Sequence, residues 1–378
     1  MSQQAPQTDV FIVGGGPAGL AAAIGAQKEG LQATVADQLR PPIDKACGEG
    51  LMPGAVAALQ SLGVRFSPGE AIPFRGIRFL DGQTGISTES EFSRGAGLAV
   101  RRTVLHAKLA ERAAEAGAVL IWGARVTSLG GGRVACDGRE IQSRWIIGAD
   151  GQQSRVRQWA ALQPSRRERR RFGFRRHFRV APWSDFVEVY WGSSCQAAVT
   201  PSGPGEVGVA VISRNSRTRL QQALREMPVL AARLAGARAT TRERGAPCVL
   251  RRLPSLFRGR FVLIGDASGS VDPVTGEGLG LAFRQAIALA GALSAGDLRR
   301  YQSAHKSIGR MPRLMSRLAL AMDGSTWLRH RALRALAGEP GFFARLIDAH
   351  VEGLGHSPLG AVDALRLAWR LARPVWLG

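Results

Sequence analysis

The 378-residue sequence predicts an α/β chain (α+β overall): a doubly wound parallel-sheet domain, an inserted mixed β-sheet and a helical C-terminal part. Three observations carry this prediction. A short apolar run is followed by a glycine-rich turn, a helix-forming stretch and a second apolar run. Two further glycine motifs lie far along the chain, each after a buried-strand pattern. Between them run segments of strand character, and after about residue 300 helical periodicity dominates. With 45% hydrophobic and 21% charged residues, the chain can bury a large core as one large or two intertwined domains. That composition excludes a disordered, collagen-like or disulfide-scaffold protein.

The elements follow in order. Val10–Val13 is fully apolar, as a buried parallel strand requires. Leu20–Glu29 is helix-forming, and Ala33–Ala36 is a second strand ending at Asp37, which completes one βαβ unit. Residues 38–54 read as loop, punctuated by Pro41, Pro42, Gly48, Gly50 and Pro53. Val56–Leu62 is a short helix, and 72–100 reads as strands with glycine turns. Val104–Ala116 is amphipathic, with Leu105, Leu109 and Ala113 on one face. Val119–Trp122 and Trp145–Ile147 are strands, and 186–212 holds two or three more around a Pro201–Gly205 turn. Phe261–Ile264 is a buried strand leading to a glycine-rich loop and the long apolar helix Leu279–Leu293. The first domain is expected from the discontinuous segments 1–72, 97–165 and 250–300. The inserted sheet is expected from 73–96 and 165–250, and the helical region from 301–378.

Gly14-x-Gly16-x-x-Gly19 sits between strand and helix and includes Pro17 and Ala18. The first glycine permits the tight turn, the second lets backbone approach a pyrophosphate, and the third lets helix and strand pack closely. The helix N-terminus offers free N–H groups and a partial positive charge to phosphates. Asp37, 18 residues after Gly19, can accept hydrogen bonds from ribose hydroxyls and disfavours a 2′-phosphate. This unit alone suits NAD or FAD. The second motif, Asp150-Gly151-x-x-Ser154-x-x-Arg157, follows a strand. The third runs from Gly265-Asp266 through Pro273 to Gly276-x-Gly278-Leu279-Gly280. Asp266 at a strand end can bind a ribityl hydroxyl. The glycines opening the next helix would turn N–H groups and the helix dipole toward the flavin N1 and O2 locus. Together the motifs select FAD.

These motifs, in this order, resemble the FAD-dependent oxidoreductases and monooxygenases of the para-hydroxybenzoate hydroxylase fold, with their Rossmann-like FAD domain. GDASGSVDPVTGEGLG is most similar to the geranylgeranyl-reductase-like branch. That branch also carries a Cys-Gly loop, matched by Lys45-Ala-Cys47-Gly48-Glu49-Gly50-Leu51, and a helix-opening arginine, matched by Arg102. The resemblance spans roughly residues 9–300. It implies that Arg102 and Asp150 contact FAD and that the 42–52 loop, Gly48 included, lies near the isoalloxazine. Three departures stand out. The aromatic stretch of the branch's substrate sheet is replaced by Cys195–Pro201, and the halogenase Trp-x-Trp-x-Ile-Pro motif is absent. The GDAAH histidine of many hydroxylases is replaced by Ser268-Gly269, the reductase-like form.

Flavin chemistry asks few acids or bases of the protein. Cys47, beside Lys45, Gly48 and Gly50, is the expected catalytic residue; the alternative for it is a small packing role. Pro273 and Thr275 are expected to wall the flavin, with Pro273 also touching substrate. Glu277 is read as a helix cap, a group that orients a loop, or a surface residue. His177 and Tyr190, in the inserted sheet, are expected to bind substrate as acid or base. No metal site is expected: the four cysteines, Cys47, Cys136, Cys195 and Cys248, include no CxxC pair and suit a reducing compartment.

Lys and Arg total 51 against 29 Asp and Glu, a net charge of +22 carried almost wholly by arginine. The run 166–176 is read as a solvated face or a site for NAD(P)H phosphates, a carrier-linked acyl chain or anionic lipid. Nucleic acid is set aside because no aromatic interleaving accompanies the run. Leu359–Trp376, with Leu365, Leu367, Trp369, Leu371, Val375 and Trp376 among arginines, suits an interfacial helix or a lid over an apolar tunnel. The start lacks a basic and leucine-rich leader, and Phe11–Gln27 is too glycine-interrupted to span a membrane, so a cytoplasmic protein is expected, with contact to the inner face of the membrane through Arg-rich faces.

The leading functional expectation is NAD(P)H-dependent hydroxylation of an apolar aromatic or polyketide-derived small molecule of secondary metabolism, through C4a-hydroperoxyflavin. The alternative is hydride transfer to a C=C bond of a prenyl or related lipid. A non-catalytic flavoprotein or membrane-surface redox sensor is third. A second GxGxxG is absent, so NAD(P)H would visit only transiently.

Overall fold

The computed structural model describes residues 7–163 and 169–352. The strand β1 (Gln7–Val13) is central in the first sheet. It runs parallel to Arg139–Gly148 on one side and to β2 (Ala33–Asp37) on the other. Phe261–Leu263 and Val119–Trp122 extend the parallel set at either end. Such strands are covered on both faces, which is why Val10–Val13 of β1 reads as an unbroken apolar run. A three-stranded antiparallel meander, 126–148, hangs off the start of Arg139–Gly148.

The helix α1 (Pro17–Lys28) begins with proline, whose missing N–H costs nothing at that position. It is rich in alanine because it is buried on two sides. One side meets the sheet; the other meets the helix Gly278–Ser294. A Cβ at Gly25 would lie 3.1 Å from the Ala290 Cβ, so the two helices approach through their smallest residues.

The second sheet has nine strands, in the order 269–270, 244–252, 169–179, 206–213, 195–203, 186–191, 76–81, 87–91, with 238–239 beside 169–179. It is antiparallel except where Gly76–Asp81 runs parallel to Phe186–Trp191. The strand Arg244–Arg252 runs past residue 250, and Gly269–Ser270, from the third motif, forms its edge. A small sheet of 50–51, 97–100 and 71–74 bridges the two large ones.

The arginine run departs from the expected solvated face. Arg169–Arg179 is an interior strand, paired on both sides. Arg171, Arg175 and His177 alternate onto its buried face. What makes this affordable is carboxylate: Arg171 meets Asp323 at 2.8 Å, and Arg175 meets Glu49 at 2.6 Å and Asp44 at 2.7 Å. Residues 166–168 lie outside the described part.

Five helices follow the third motif: Gly278–Ser294, Leu298–Ile308, Arg310–Gly324, Thr326–Ala337 and Pro340–Glu352. Asp297 and Ser325 cap two of them by accepting N–H bonds from Arg299 and Leu328. The last three pack over the apolar face of the second sheet, where Leu333, Phe343 and Ile347 join Ile77, Val189 and Trp191 in one cluster. His350 anchors the final helix by bonding its Nε2 to the Thr275 carbonyl at 2.8 Å. The amphipathic stretch Leu359–Trp376 lies outside the described residues. No helix among the described residues is long and apolar enough to cross a membrane.

Phe11 is fully buried in β1. Phe11→Ala is therefore expected to destabilise the protein by about 3–5 kcal/mol, read as a lower urea midpoint at unchanged slope.

Candidate functional site

The three glycine motifs, separated by more than a hundred residues each, meet at one point. Gly14 has φ +108°, and a Cβ there would stand 2.5 Å from the Ala149 carbonyl oxygen, just before Asp150. A Cβ on Gly19 would be 1.9 Å from the Gly14 oxygen, so turn and helix close only on glycine. Gly265, at φ +60°, faces Ala18, with 2.7 Å between its notional Cβ and the alanine methyl. Arg157 of the second motif donates to the Ala267 carbonyl at 3.1 Å, tying that motif to the third.

Around this junction several groups are left open. Gly16, Gly151 and Gly278 have no heavy atom within 4 Å of a notional Cβ. The Arg102 Nε and the Asp150 Oδ1 are buried without a hydrogen-bond partner. Asp150 uses only its Oδ2, accepting from the N–H groups of Arg155 at 2.7 Å and Val156 at 3.1 Å. Asp37 accepts from Gly15 N–H at 2.7 Å and Leu39 N–H at 2.8 Å, which orients it at the end of β2. Gly16, Asp37, Arg102, Asp150, Gly151 and Gly278 line one cavity of about 800 Å³. Unpaired cation, aimed carboxylates and bare backbone at a helix N-terminus are the donor set a dinucleotide needs. The residues therefore fit FAD: Gly14–Gly19 and Arg102 at its phosphates, Asp37 at a ribose, and the Gly265–Leu279 segment at the flavin end.

At that flavin end, Asp272 caps the turn Pro273–Thr275, and Gly276 closes it at φ +68°. Burial raises the Asp272 carboxyl above its ordinary range, though Arg171 opposes the shift. Glu277 is not at the surface; it is buried and paired with Arg284 at 2.5 Å. Across the cavity stands the 42–50 loop. Lys45 meets Asp266 at 3.3 Å, and the Gly48 carbonyl accepts from Thr200 Oγ1 at 2.8 Å. Cys47 is half-buried on the wall, its Sγ accepting the Glu49 N–H at 3.4 Å.

Glu49 holds this loop and was not singled out by sequence. It sits at φ +60°, a conformation that disfavours a side chain, yet it is buried. Its Oε1 accepts from Arg175 at 2.6 Å and from the Arg102 N–H at 2.8 Å; its Oε2 meets His177 Nε2 at 2.6 Å. His106 is a second such residue. Burial lowers its pKa, and its Nε2–H donates to the Gly15 carbonyl at 2.9 Å, bracing the first motif from behind. Neither leaves a local signature, because each acts on a partner distant in the chain.

The structure brings Cys47, Gly48, Arg102, Asp150, Gly151, Asp266, Pro273, Gly276, Gly278 and Leu279 to the cavity with Gly14, Gly16, Pro17 and Ala18, while Gly19 packs behind them on the Gly14 oxygen. It places His177 and Tyr190 elsewhere. His177 is fully enclosed between Glu49 and Thr241, 3.0 Å from the latter's hydroxyl. Tyr190 points to the opposite face of the sheet, donating to Glu188 at 2.7 Å. Burial and that bond push its phenol up. Burial resists ionisation of Glu188, but bonds from Trp183 and Tyr190 and the charge of Arg233 hold it below its ordinary range. Both expected substrate ligands are thus structural pairs. No His, Cys, Asp or Glu cluster suited to a metal occurs among the described residues.

Two outcomes follow. Gly16→Val adds a side chain where only cofactor would be displaced, so the variant is expected to fold with an unchanged far-ultraviolet spectrum but to purify colourless. Glu49→Ala removes the carboxylate partner of His177 and one of the two carboxylates of Arg175, and is expected to cost about 3–5 kcal/mol in urea unfolding. A loss under about 1 kcal/mol would show that the carboxylate does not hold the loop.

A family model described as FAD binding domain matches residues 7–296. The menaquinone reductase of Mycobacterium tuberculosis is 30% identical over 320 residues, covering 77% of this chain and 78% of that protein. The digeranylgeranylglycerophospholipid reductase of Methanococcus vannielii is 26% identical, covering 72% and 73%. A flavoprotein/dehydrogenase of Cytophaga hutchinsonii shares the fold, with a TM-score of 0.77 at 19% identity over 92% of this chain and 93% of that one. With its three motifs converging on one cradle, the chain belongs to the FAD binding domain family, among the FAD-dependent oxidoreductases.

Proposed function

We propose that the protein reduces a C=C bond of a prenyl lipid, such as the isoprenoid tail of a quinone. The observation that carries this reading is the shape of the cavity. Beyond Pro273 it continues as an apolar chamber between the second sheet and the C-terminal helices, lined by Ile77, Phe79, Trp191, Leu336, Phe342 and Leu346. A branched hydrocarbon chain gains about 0.8 kcal/mol per buried CH₂ in such a chamber. The relatives named as a menaquinone reductase and a digeranylgeranylglycerophospholipid reductase support it, since both names describe isoprenoid-bearing molecules. They raise above hydroxylation the reading that the sequence alone ranks second.

When bound and reduced, FAD supplies a hydride. The chain supplies the rest. The sheet and helices hold the tail and exclude water, and the Glu49-anchored loop presents Cys47 at the cavity wall. In this reading the Cys47 Sγ–H delivers the proton to the second carbon and the thiolate is reprotonated from solvent. NAD(P)H is the proposed electron donor.

A second reading, hydroxylation of an apolar aromatic molecule, is favoured by one observation. On the strand Cys195–Gly203 the cavity wall carries Ala198 and Thr200 in place of aromatic side chains, which leaves room for a ring.

Chemically reduced holoprotein, mixed with menaquinone without oxygen, is expected to yield a product that stays heavier by two hydrogens after the quinol ring is reoxidised in air. Cys47→Ala is expected to keep its flavin and lose about 10²- to 10⁴-fold in turnover. A product heavier by one oxygen atom, formed only in air with NAD(P)H, would establish the second reading instead. Flavin that no donor or substrate turns over would leave a non-catalytic flavoprotein.

A further inference from the structure

The helix Arg310–Gly324 exposes one stripe to solvent: Arg310, Leu314, Arg317, Leu318 and Ala321. Leu314 is 39% exposed, Leu318 40%, and Trp327, at the start of the next helix, 63%. The Trp327 ring is topped by the Arg331 guanidinium at 4.9 Å, an arrangement that suits a polar–apolar boundary. Large apolar side chains exposed along one helix and at the start of the next, on an otherwise strongly charged surface, call for a partner.

Two observations say which. The first is charge. Arg313 lies close enough to Arg252 and Arg317 for their repulsion, after its burial, to lower its pKa. Among the described residues no carboxylate pairs with Arg252, Arg310, Arg313 or Arg317; Arg313 donates to the Lys306 carbonyl. The second is access. Met315, Leu318 and Leu328 line the cavity that runs past Pro273, and Leu318 is also part of the exposed stripe. The apolar chamber therefore reaches the surface within the same patch.

We propose that this face docks on an anionic lipid bilayer, with Leu314, Leu318 and Trp327 entering the interface and the arginines binding phosphate head groups. Docked so, the cavity mouth opens onto the hydrocarbon, and a lipid tail passes into the chamber without crossing water. The proposal extends the function given above, because a prenyl lipid resides in the bilayer, but contact with the membrane requires no turnover.

The test is co-sedimentation of the full-length holoprotein with vesicles of phosphatidylglycerol and phosphatidylcholine in equal parts, and with phosphatidylcholine alone. Binding is expected only to the anionic vesicles, falling steeply as salt rises. Arg310→Gln with Arg317→Gln is expected to weaken it about thirtyfold at low salt, from two head-group contacts, with flavin content unchanged. Leu314→Ser with Trp327→Ala, at positions off the cavity wall, is expected to weaken it as well. Parent protein that stays in the supernatant at low salt, or an arginine variant that binds like the parent, would overturn the proposal. So would a lipid-free dimer that the Leu314 and Trp327 substitutions dissolve, since it would assign the face to a second copy. Vesicle binding that persists while the tail of detergent-dispersed menaquinone is left unreduced would reject the reductase reading and leave the docking face standing.

Discussion

The carboxylate of Glu49 joins the parts of this molecule that would otherwise be independent. It belongs to the loop beside the cavity, yet it accepts bonds from the first turn of helix Arg102–Glu115 and from Arg175 and His177 in the second sheet. Its own carbonyl accepts the Val100 N–H at 2.9 Å, which fixes the small bridging sheet. Withdrawing such charges from water costs several kcal/mol per ion, and only saturated hydrogen bonding offsets that cost. Glu49 meets the condition with both oxygens occupied. The left-handed backbone at this position adds roughly 1 kcal/mol more. A residue that is strained and desolvated persists only where its surroundings over-determine it, and here they also hold Cys47 in place.

The same logic separates what the sequence displays from what it hides. The βαβ unit is legible because each requirement is local. Gly14 must adopt positive φ, Gly19 must let a turn pass, and β1 must be apolar on both faces. The two later motifs are legible for the same reason, and their convergence follows from strand order in a parallel sheet. The arginine run is the opposite case. Its buried polar members, Arg171, Arg175 and His177, stand an even number of residues apart, as one face of a strand requires. Nothing nearby announces the carboxylates that neutralise them: Asp44 and Glu49 lie far before the run, and Asp272 and Asp323 far after it. Tyr190 could have been placed, since Glu188 two residues earlier shares its face. His106 could not, because its partner is the backbone carbonyl of Gly15.

Charge is distributed with a purpose that composition alone conceals. Part of the arginine excess is interior and paired, at Arg171 and Arg175. Part of it lies at the junction of the glycine motifs, where Arg157 donates to the Ala267 carbonyl and Arg102 lines the cavity. Arg310 and Arg317, without a carboxylate among the described residues, lie on the same exposed stripe as Leu318, which also lines the cavity. Polar and apolar functions therefore occupy opposite ends of one continuous cavity, with the Pro273–Leu279 segment between them.

The parallel pairing of Gly76 with Phe186 has a consequence for biogenesis. The hairpin 76–91 emerges from the ribosome early, but the strand that seats it arrives only after an intervening segment that belongs to the other sheet. The FAD-side sheet waits longer still for Phe261–Leu263. Neither layer can close on a half-made chain, so the nascent protein presents open strand edges for most of its synthesis. High contact order of this kind makes folding slow and gives chaperones a long window of engagement.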